Sequence, residues 1–389
     1  MPTRVAPGPQ APSSAVPAPQ RRPGAISAFE YTFPAIRGVQ AQREFYVTMC
    51  PLRLIPRLFV WDDEELSPEL RAQRILNKAR VPEMARYMTT NRLGYVFSAL
   101  TASVDADVVF GAIADGGPEQ RIGVLNIPMS AKFVINDGQH RRAAIEQALR
   151  ECPELGDESI AVVFFLDVGL ARCQQMFTDL NRYAIRPSTS LSVLYDSRDE
   201  LARISRQIVF CSPALSGLVD AEKTNLSPRS RKLFTLSAIN TCVKSLLEGF
   251  GQLEFDERAS LAQAFWARLT PRFPEWRLVK EGRISAGEVR RDFIHGHGIA
   301  LHALGKVGNS LMQVSADPED WEPYLAKLEK IDWSRSNAYL WEGRAMVGGK
   351  VSKTSANVVL TTNAIRTALG LELSGEQQRA EAALNRGES

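Results

Sequence analysis

The stretch with the clearest capacity for chemistry is Asp137-Gly138-Gln139-His140-Arg141-Arg142, where a carboxylate, an imidazole and a pair of guanidinium groups lie close in sequence. It follows Phe133–Ile135, a β-branched and aromatic run typical of a short buried strand. Asp-Gly favours a tight turn, because glycine tolerates positive φ. Apolar residues then recur at helical spacing until Cys152-Pro153. The segment is therefore predicted to form a strand, a glycine turn and a helix.

The start of such a helix suits an anion, because it presents unpaired N–H groups and a partial positive charge. Arg141 and Arg142 stand at that end, where each cation costs about 0.3–1 kcal/mol. Glu146 is four residues after Arg142 and offsets part of this cost, whereas Arg141 has no such partner along the helix. Two interpretations stay open. Either Arg141 receives an anionic ligand, or it pairs with Asp137 or a distant carboxylate in a surface cluster.

Further motifs accompany this stretch along the chain. They are Met49-Cys50-Pro51-Leu52, residues 174–182 (QQMFTDLNR), Leu194-Tyr195-Asp196, residues 230–237 (SRKLFTLS) and residues 341–346 (WEGRAM). With Asp137–Arg141 they resemble the DGQHR-domain family, and among it the DndB proteins of DNA phosphorothioation, the sulfur modification of DNA. The resemblance covers roughly residues 28–372. The Gly138-x-x-Arg141 core is also similar, more distantly, to the nucleotide-contacting motif of the ParB/sulfiredoxin-like fold.

The resemblance implies an α+β fold, with a ParB-like mixed sheet and its helices first and a mostly helical domain after it. It implies a repressor of the phosphorothioation gene cluster that binds double-stranded DNA, with other phosphorothioation proteins as further partners. One alternative is an accessory protein that binds and hydrolyses ATP or CTP with Mg at the glycine turn. Another is a scaffold, an accessory subunit that docks on the modification enzymes and contacts DNA only incidentally. No catalytic residue can be assigned. The predicted nucleotide- or anion-binding residues are Asp137, Gly138, Gln139, His140, Arg141, Arg142, Asn181 and Arg182.

Composition limits the class of protein. The chain has 389 residues, 44% hydrophobic and 23% charged, which is ordinary for a globular protein with more than one domain. A net charge of +3 requires any nucleic-acid surface to be a local patch. The five cysteines are scattered and form no CxxC pair, which favours a reduced, cytoplasmic protein. No apolar run approaches the ~20 residues of a membrane span. Self-association into a homo-oligomer stays open.

The pattern along the chain predicts four regions. Residues 1–24 form a Pro-rich disordered tail, 25–190 the α/β domain, 191–372 a helical domain with basic segments, and 373–389 a C-terminal tail. In the second region we expect two short strands within 29–56, strands at Ala106–Ile113, Arg121–Ile127 and Ile160–Leu166, and helices at Ser67–Leu76, Val81–Tyr87 and Leu170–Asn181. In the third we expect helices at Leu201–Phe210, Ser230–Phe250, Leu261–Leu269 and Ile299–Val314.

Two basic segments of the helical region are predicted to contact DNA phosphates. The first spans residues 223–232, has no acidic residue, and includes Ser227-Pro228 as a predicted helix start. The second spans residues 344–353 and contains the flexible pair Gly348-Gly349. Solvated cationic helix ends are the alternative. The predicted DNA-binding residues are Arg186, Lys223, Arg229, Arg231, Lys232, Arg344, Lys350 and Lys353.

His295-Gly296-His297, with His302 nearby, raises the question of a metal site. The glycines on either side of His297 favour a loop, and His302 is expected in the first turn of a helix. A loop with incidental histidines is therefore favoured, and no metal is predicted. The sequence also lacks GxxxxGK[ST], which disfavours a Walker-type ATPase.

Overall fold

The computed structural model describes residues 29–59, 79–166, 175–176, 178–180, 187–213 and 215–386. The chain divides into two compact units, Met1–Ile185 and Arg186–Ser389. The boundary expected from the sequence, near residue 190, is close to this division. Each unit is described by itself.

The first unit is built on a seven-stranded sheet. Its strands are β1 (Glu30–Gln40), β2 (Arg43–Pro51), β3 (Leu100–Asp105), β4 (Val109–Ala112), β5 (Ile122–Pro128), β6 (Lys132–Asp137) and β7 (Ser159–Phe165). Their order in the sheet is β4-β5-β1-β2-β7-β3-β6. The β3–β7 pair is parallel and the other neighbouring strands are antiparallel, so the sheet is mixed.

Helices pack on one face of this sheet. They are α1 (Ile55–Leu58), α2 (Arg80–Thr90) and α3 (Gln139–Glu151). The core between helices and sheet includes Phe33, Phe164, Met88 and Ile145, each almost completely buried. Alternation along the strands produces this layer, because every second side chain points to the same face.

One strand differs from its predicted position. The core strand expected at Ala106–Ile113 is wrong, because β3 ends at Asp105 and a separate short strand, β4, begins at Val109. β4 lies at the edge of the sheet, and Val109 keeps 38% of its surface exposed. The predicted strands near 29–56, 121–127 and 160–166 and the helix near 81–87 are confirmed. The helix predicted at Ser67–Leu76 lies outside the described residues, as does most of Leu170–Asn181.

The second unit is mostly helical. Its helices are α4 (Thr189–Tyr195), α5 (Glu200–Phe210), α6 (Leu236–Leu246), α7 (Phe255–Leu269), α8 (Pro274–Lys280), α9 (Ala286–Asp292), α10 (Gly298–Val314), α11 (Glu322–Leu325), α12 (Ala338–Trp341), α13 (Ser355–Leu369) and α14 (Gly375–Asn385). Two small strand pairs accompany them, β8 (Val219–Asp220) with β9 (Phe234–Thr235) and β10 (Met346–Val347) with β11 (Lys350–Val351). α10 packs against both α6 and α13 and forms the centre of this core.

The helix predicted at Ser230–Phe250 is shorter than expected. It begins at Leu236, where Thr235 Oγ1 accepts a hydrogen bond from Ala238 N at 3.2 Å. Ser227-Pro228 is therefore not a helix start, because the chain first pairs Phe234 with Val219 in the β8–β9 ladder. The residues from 227 to 232, named the basic loop here, run as irregular backbone.

The other long helices agree with prediction. α5, α7 and α10 confirm the helices expected near 201–210, 261–269 and 299–314, and the segment predicted as a C-terminal tail contains α14. The α+β fold class, a mixed sheet followed by a helical region, is confirmed. Its likeness to ParB stays a prediction. Within the described part of the chain, no helix combines the length and apolar character that a bilayer span needs.

Candidate nucleic-acid interface

The turn before α3 depends on one glycine. Gly138 has φ +106° and stands as the N-cap of α3 in the left-handed region. A Cβ at this position would come within 2.4 Å of Leu100 Cδ2 and 3.0 Å of the Arg141 guanidinium. Both the backbone angle and the lack of space therefore require glycine. The predicted strand, glycine turn and helix are confirmed.

Arg141 bonds within its own motif. Its guanidinium donates to Asp137 Oδ2 at 2.6 Å, to Ala99 O at 3.2 Å and to Ser98 Oγ, with 17% of the side chain exposed. The glycine turn brings Asp137, the last residue of β6, within reach of Arg141. This geometry corresponds to the interpretation in which Arg141 pairs with Asp137.

Arg142 and Gln139 of the motif are buried and bonded within the fold. Arg142 is 4% exposed and donates to Phe59 O at 3.0 Å and to Glu146 Oε2 at 2.5 Å. Gln139 is buried and donates to Ile135 O at 3.2 Å. Burial, with the charges of Arg80 and Arg141, lowers the pKa of His140. Asn181, Arg182 and Arg186 lie outside the described residues.

In the second unit, a single arginine binds the basic loop. Arg290, on α9, donates to the carbonyl oxygens of Ser227 at 2.8 Å and Ser230 at 3.3 Å, and also to that of Lys232. α9 packs so closely here that a Cβ at Gly287 would be 2.3 Å from Pro228 O. The loop is thereby fixed through its backbone, while Arg229 and Arg231 stay exposed.

A second arginine links α9 to the β10–β11 hairpin. Arg335 donates to Arg291 O at 3.1 Å, near the end of α9, and to Gly349 O at 2.9 Å, in the hairpin turn. The Glu342 carboxylate accepts hydrogen bonds from the N–H groups of Gly348 and Gly349 (3.2 Å for Gly349). Both turn glycines have positive φ. The structure thus brings together two predicted basic segments that are more than 100 residues apart in sequence.

A cleft of about 1010 Å³, lined by charged, hydroxyl and apolar residues, opens in the second unit. Its lining includes Pro228 of the basic loop, residues of α9, and residues near the starts of α6 and α10. Arg290 and Arg335 bond to backbone carbonyls, and none of the described ion pairs includes either of them. Hydroxyl groups supply further donors. The charged and hydroxyl residues of the lining are Thr189, Thr224, Thr235, Ser237, Thr241, Ser285, Glu288, Arg290, Arg291, Arg335 and Lys353.

The predicted DNA-binding residues differ in their exposure and in whether they already bond within the fold. Lys232 donates to Gly217 O at 2.8 Å. Arg344 is 17% exposed and bonds to Glu381 Oε2 on α14 at 2.6 Å, which makes it a packing residue. The exposed members are Lys223, Arg229, Arg231, Lys350 and Lys353.

Sequence reasoning missed Arg290 and Arg335, which organise this surface. The signal was weak, because their partners are carbonyl oxygens distant in sequence, and any residue supplies a carbonyl. Arg290 and Arg291 are adjacent and of one type, yet they differ in role. Arg291 forms a two-point contact with its neighbour Asp292, with both distances 2.8 Å.

His295 and His297 are bonded within the fold. His295 is 1% exposed, accepts from Trp276 Nε1 at 3.0 Å through Nδ1, and has Nε2 3.3 Å from Glu275. His297 Nε2 lies 2.6 Å from Arg290 O, and burial lowers the pKa of His297 to about 4. Among the described residues, no group of three or more His, Cys, Asp or Glu is arranged to hold a metal ion.

The mixed sheet, the glycine turn and the cationic cleft accompany a clear family match. The family model for DndB, described as DNA-sulfur modification-associated, matches residues 33–372, which is most of the chain. The chain belongs to this family. No curated protein and no solved structure gives a significant match.

Proposed function

We propose that this protein is a DNA-binding regulator, a repressor of the phosphorothioation gene cluster, and that the second unit contacts the DNA backbone. One observation carries the proposal. Arg290 and Arg335 connect the basic loop and the β10–β11 hairpin through α9, so two segments that carry exposed cations are attached to one helix. Family membership supports the connection with DNA sulfur modification.

The chemistry of this surface suits phosphates. Arg229, Arg231 and Lys350 are exposed, and hydroxyl groups of Thr189 and Thr224 line the adjoining cleft. Such cations, hydroxyls and N–H groups make most contacts to a nucleic-acid backbone. They position a protein on DNA without reading its sequence, so the element that reads bases is not part of the proposal.

The test is a salt titration of DNA affinity. Fluorescence anisotropy would measure binding of the purified chain to the DNA upstream of its own gene and to a scrambled duplex, with and without ATP or CTP. We expect tighter binding to the upstream DNA. The logarithm of the binding constant should fall linearly with the logarithm of salt, by about 0.9 per phosphate neutralised.

A triple variant, Arg229→Ala with Arg231→Ala and Lys350→Ala, should flatten that slope by about 0.9 for each lost contact. Lys330→Ala removes an exposed cation that does not line the cleft, and should leave the slope unchanged. An unchanged slope in the triple variant would remove the basic loop and hairpin from the interface. Equal, weak binding to both duplexes would contradict a regulatory role.

Nucleotide hydrolysis at the Gly138 turn is the weaker alternative. Arg141, the residue expected to meet a phosphate there, is already bonded to Asp137 at 2.6 Å. A nucleotide would have to displace that carboxylate or bind beside it.

A further inference from the structure

The cleft of the second unit has the dimensions of a small-ligand site. Its volume, about 1010 Å³, is at the upper end of the ~300–1,000 Å³ usual for such pockets. Part of its lining is apolar, and Leu226, Pro228 and Ala238 keep accessible surface there. A duplex phosphate needs only an exposed cation, whereas a concave pocket with an apolar wall can enclose a whole small molecule.

Lys353 is a cation of the cleft lining, and none of the described ion pairs gives it a carboxylate partner. A Cβ at Gly298 would be 3.7 Å from Lys353 Nζ, so the ammonium lies beside the first residue of α10. That helix has 17 residues, no side-chain cap and no acidic residue in its first turn. Although Lys353 as a whole is more than a third exposed, partial burial of its ammonium group lowers its pKa.

The nearby carboxylates are engaged elsewhere. Glu288 accepts from Ser285 N at 2.8 Å and from Ser285 Oγ at 2.7 Å. Asp292 bonds to Arg291. None of the described ion pairs joins a carboxylate to Lys353, Arg290 or Arg335. A cation beside the positive end of a helix is unfavourable by itself, and a bound anion would relieve the repulsion.

We propose that the cleft binds a small organic phosphate of about nucleotide size. Lys353 and the start of α10 hold its phosphate, and the wall formed by Leu226, Pro228 and Ala238 contacts its organic part. This site lies in the second unit and is separate from the Gly138 turn. It does not depend on the DNA-binding proposal, since the ligand is small and the described residues that line the cleft all belong to the second unit.

The test uses the full chain without DNA. Isothermal titration calorimetry at constant ionic strength would measure the affinity of the chain for AMP and, separately, for inorganic phosphate. AMP should bind saturably and more tightly than phosphate, because the apolar wall adds contacts. Lys353→Met keeps the length of the side chain but removes its charge, and should weaken AMP binding about tenfold, the usual effect of losing one charge-assisted hydrogen bond. Lys330→Met is the matched control, with affinity expected within about twofold of the unmodified chain.

A second variant, Gly298→Ala, keeps every charge. The new methyl group would occupy the space between Ala238 Cβ, 3.4 Å away, and Lys353 Nζ. It should weaken AMP binding while thermal denaturation shows a folded protein.

Three results would overturn the proposal. The first is a lack of saturable binding. The second is an AMP affinity no higher than that of inorganic phosphate. The third is loss of AMP binding in Arg141→Ala together with its retention in Lys353→Met, which would place the ligand at the Gly138 turn.

Discussion

At the scale of single residues, several arginines of this protein have a structural role. Arg142, Arg290, Arg335 and Arg344 each bond to backbone carbonyls or to a carboxylate within the fold. From sequence, such residues cannot be distinguished from ligand-binding cations, because the charge is visible and the partner is not. Arg141 illustrates the point, since Asp137 binds it only once the glycine turn has formed.

Gly138→Ala should destabilise the first unit by about 1–3 kcal/mol. The new Cβ would meet Leu100 and the backbone would keep a φ of +106° that alanine adopts at a cost. Urea denaturation followed by circular dichroism measures the change. Gly116→Ala is the control, because no atom lies within 4 Å of its Cβ and its φ is not positive. Equal effects of the two substitutions would show that the turn tolerates a side chain.

His297 should make the stability of the second unit depend on pH. Burial lowers its pKa from 6.5 to about 4, and the charges of Arg335 and Arg290 act in the same direction. Below pH 6.5 the unfolded chain therefore takes up a proton that the folded protein does not, and stability is lost until about pH 4. We expect the free energy of unfolding to fall by about 2 kcal/mol from this residue between pH 7 and pH 5.

His297→Gln keeps a donor for Arg290 O and cannot titrate. Its unfolding free energy, measured in urea at pH 7 and at pH 5, should therefore change less with pH than that of the unmodified chain. The pKa of His302 is also lowered to about 4, so a smaller dependence should persist. An identical pH dependence in both proteins would contradict the assignment to His297.

At the scale of elements, hydrophobic periodicity predicted the long helices well. α5 and α10 begin within one residue of their expected starts, because their apolar faces repeat along the whole segment. Hydrophobic periodicity failed where the same local pattern fits both a helix and a strand. Ser230–Thr235 looked like the first turns of a helix, but Phe234 pairs with Val219 in a strand, a contact that only the folded chain supplies. The cleft was missed for the same reason, since its lining comes from several distant segments.

Arg290→Lys should loosen the basic loop. A single ammonium cannot reproduce the forked contacts of the guanidinium with the carbonyls of Ser227, Ser230 and Lys232. Limited trypsin digestion should then cut after Arg229 or Arg231 about tenfold faster, as expected if local opening becomes about 1.4 kcal/mol easier. Arg291→Lys alters a neighbour bonded to Asp292 and should leave the cleavage rate unchanged. If both variants are cut equally fast, Arg290 does not hold the loop.

At the scale of the whole molecule, each unit has its own hydrophobic core. Five of the six tryptophans, Trp266, Trp276, Trp321, Trp333 and Trp341, are buried in the core of the second unit. The sixth, Trp61, is in the part of the chain assigned to the first unit and lies outside the described residues. Tryptophan fluorescence is therefore mainly a probe of the second unit.

We expect the units to unfold as separate cooperative blocks. In a Trp61→Phe background, Gly138→Ala should lower the urea midpoint seen by circular dichroism for the first unit and leave the fluorescence midpoint unchanged. A parallel shift of both midpoints would mean that the two cores unfold together.

The basic loop is bound through its backbone oxygens, and this has a consequence for how the protein could change. Arg290 contacts atoms that every amino acid carries, so the side chains at 229 and 231 can be exchanged without disturbing the attachment. The attachment of the loop to α9 is therefore compatible with different side chains at these two positions. A library randomised at these two positions should therefore give mostly folded proteins, as thermal denaturation of individual members would show.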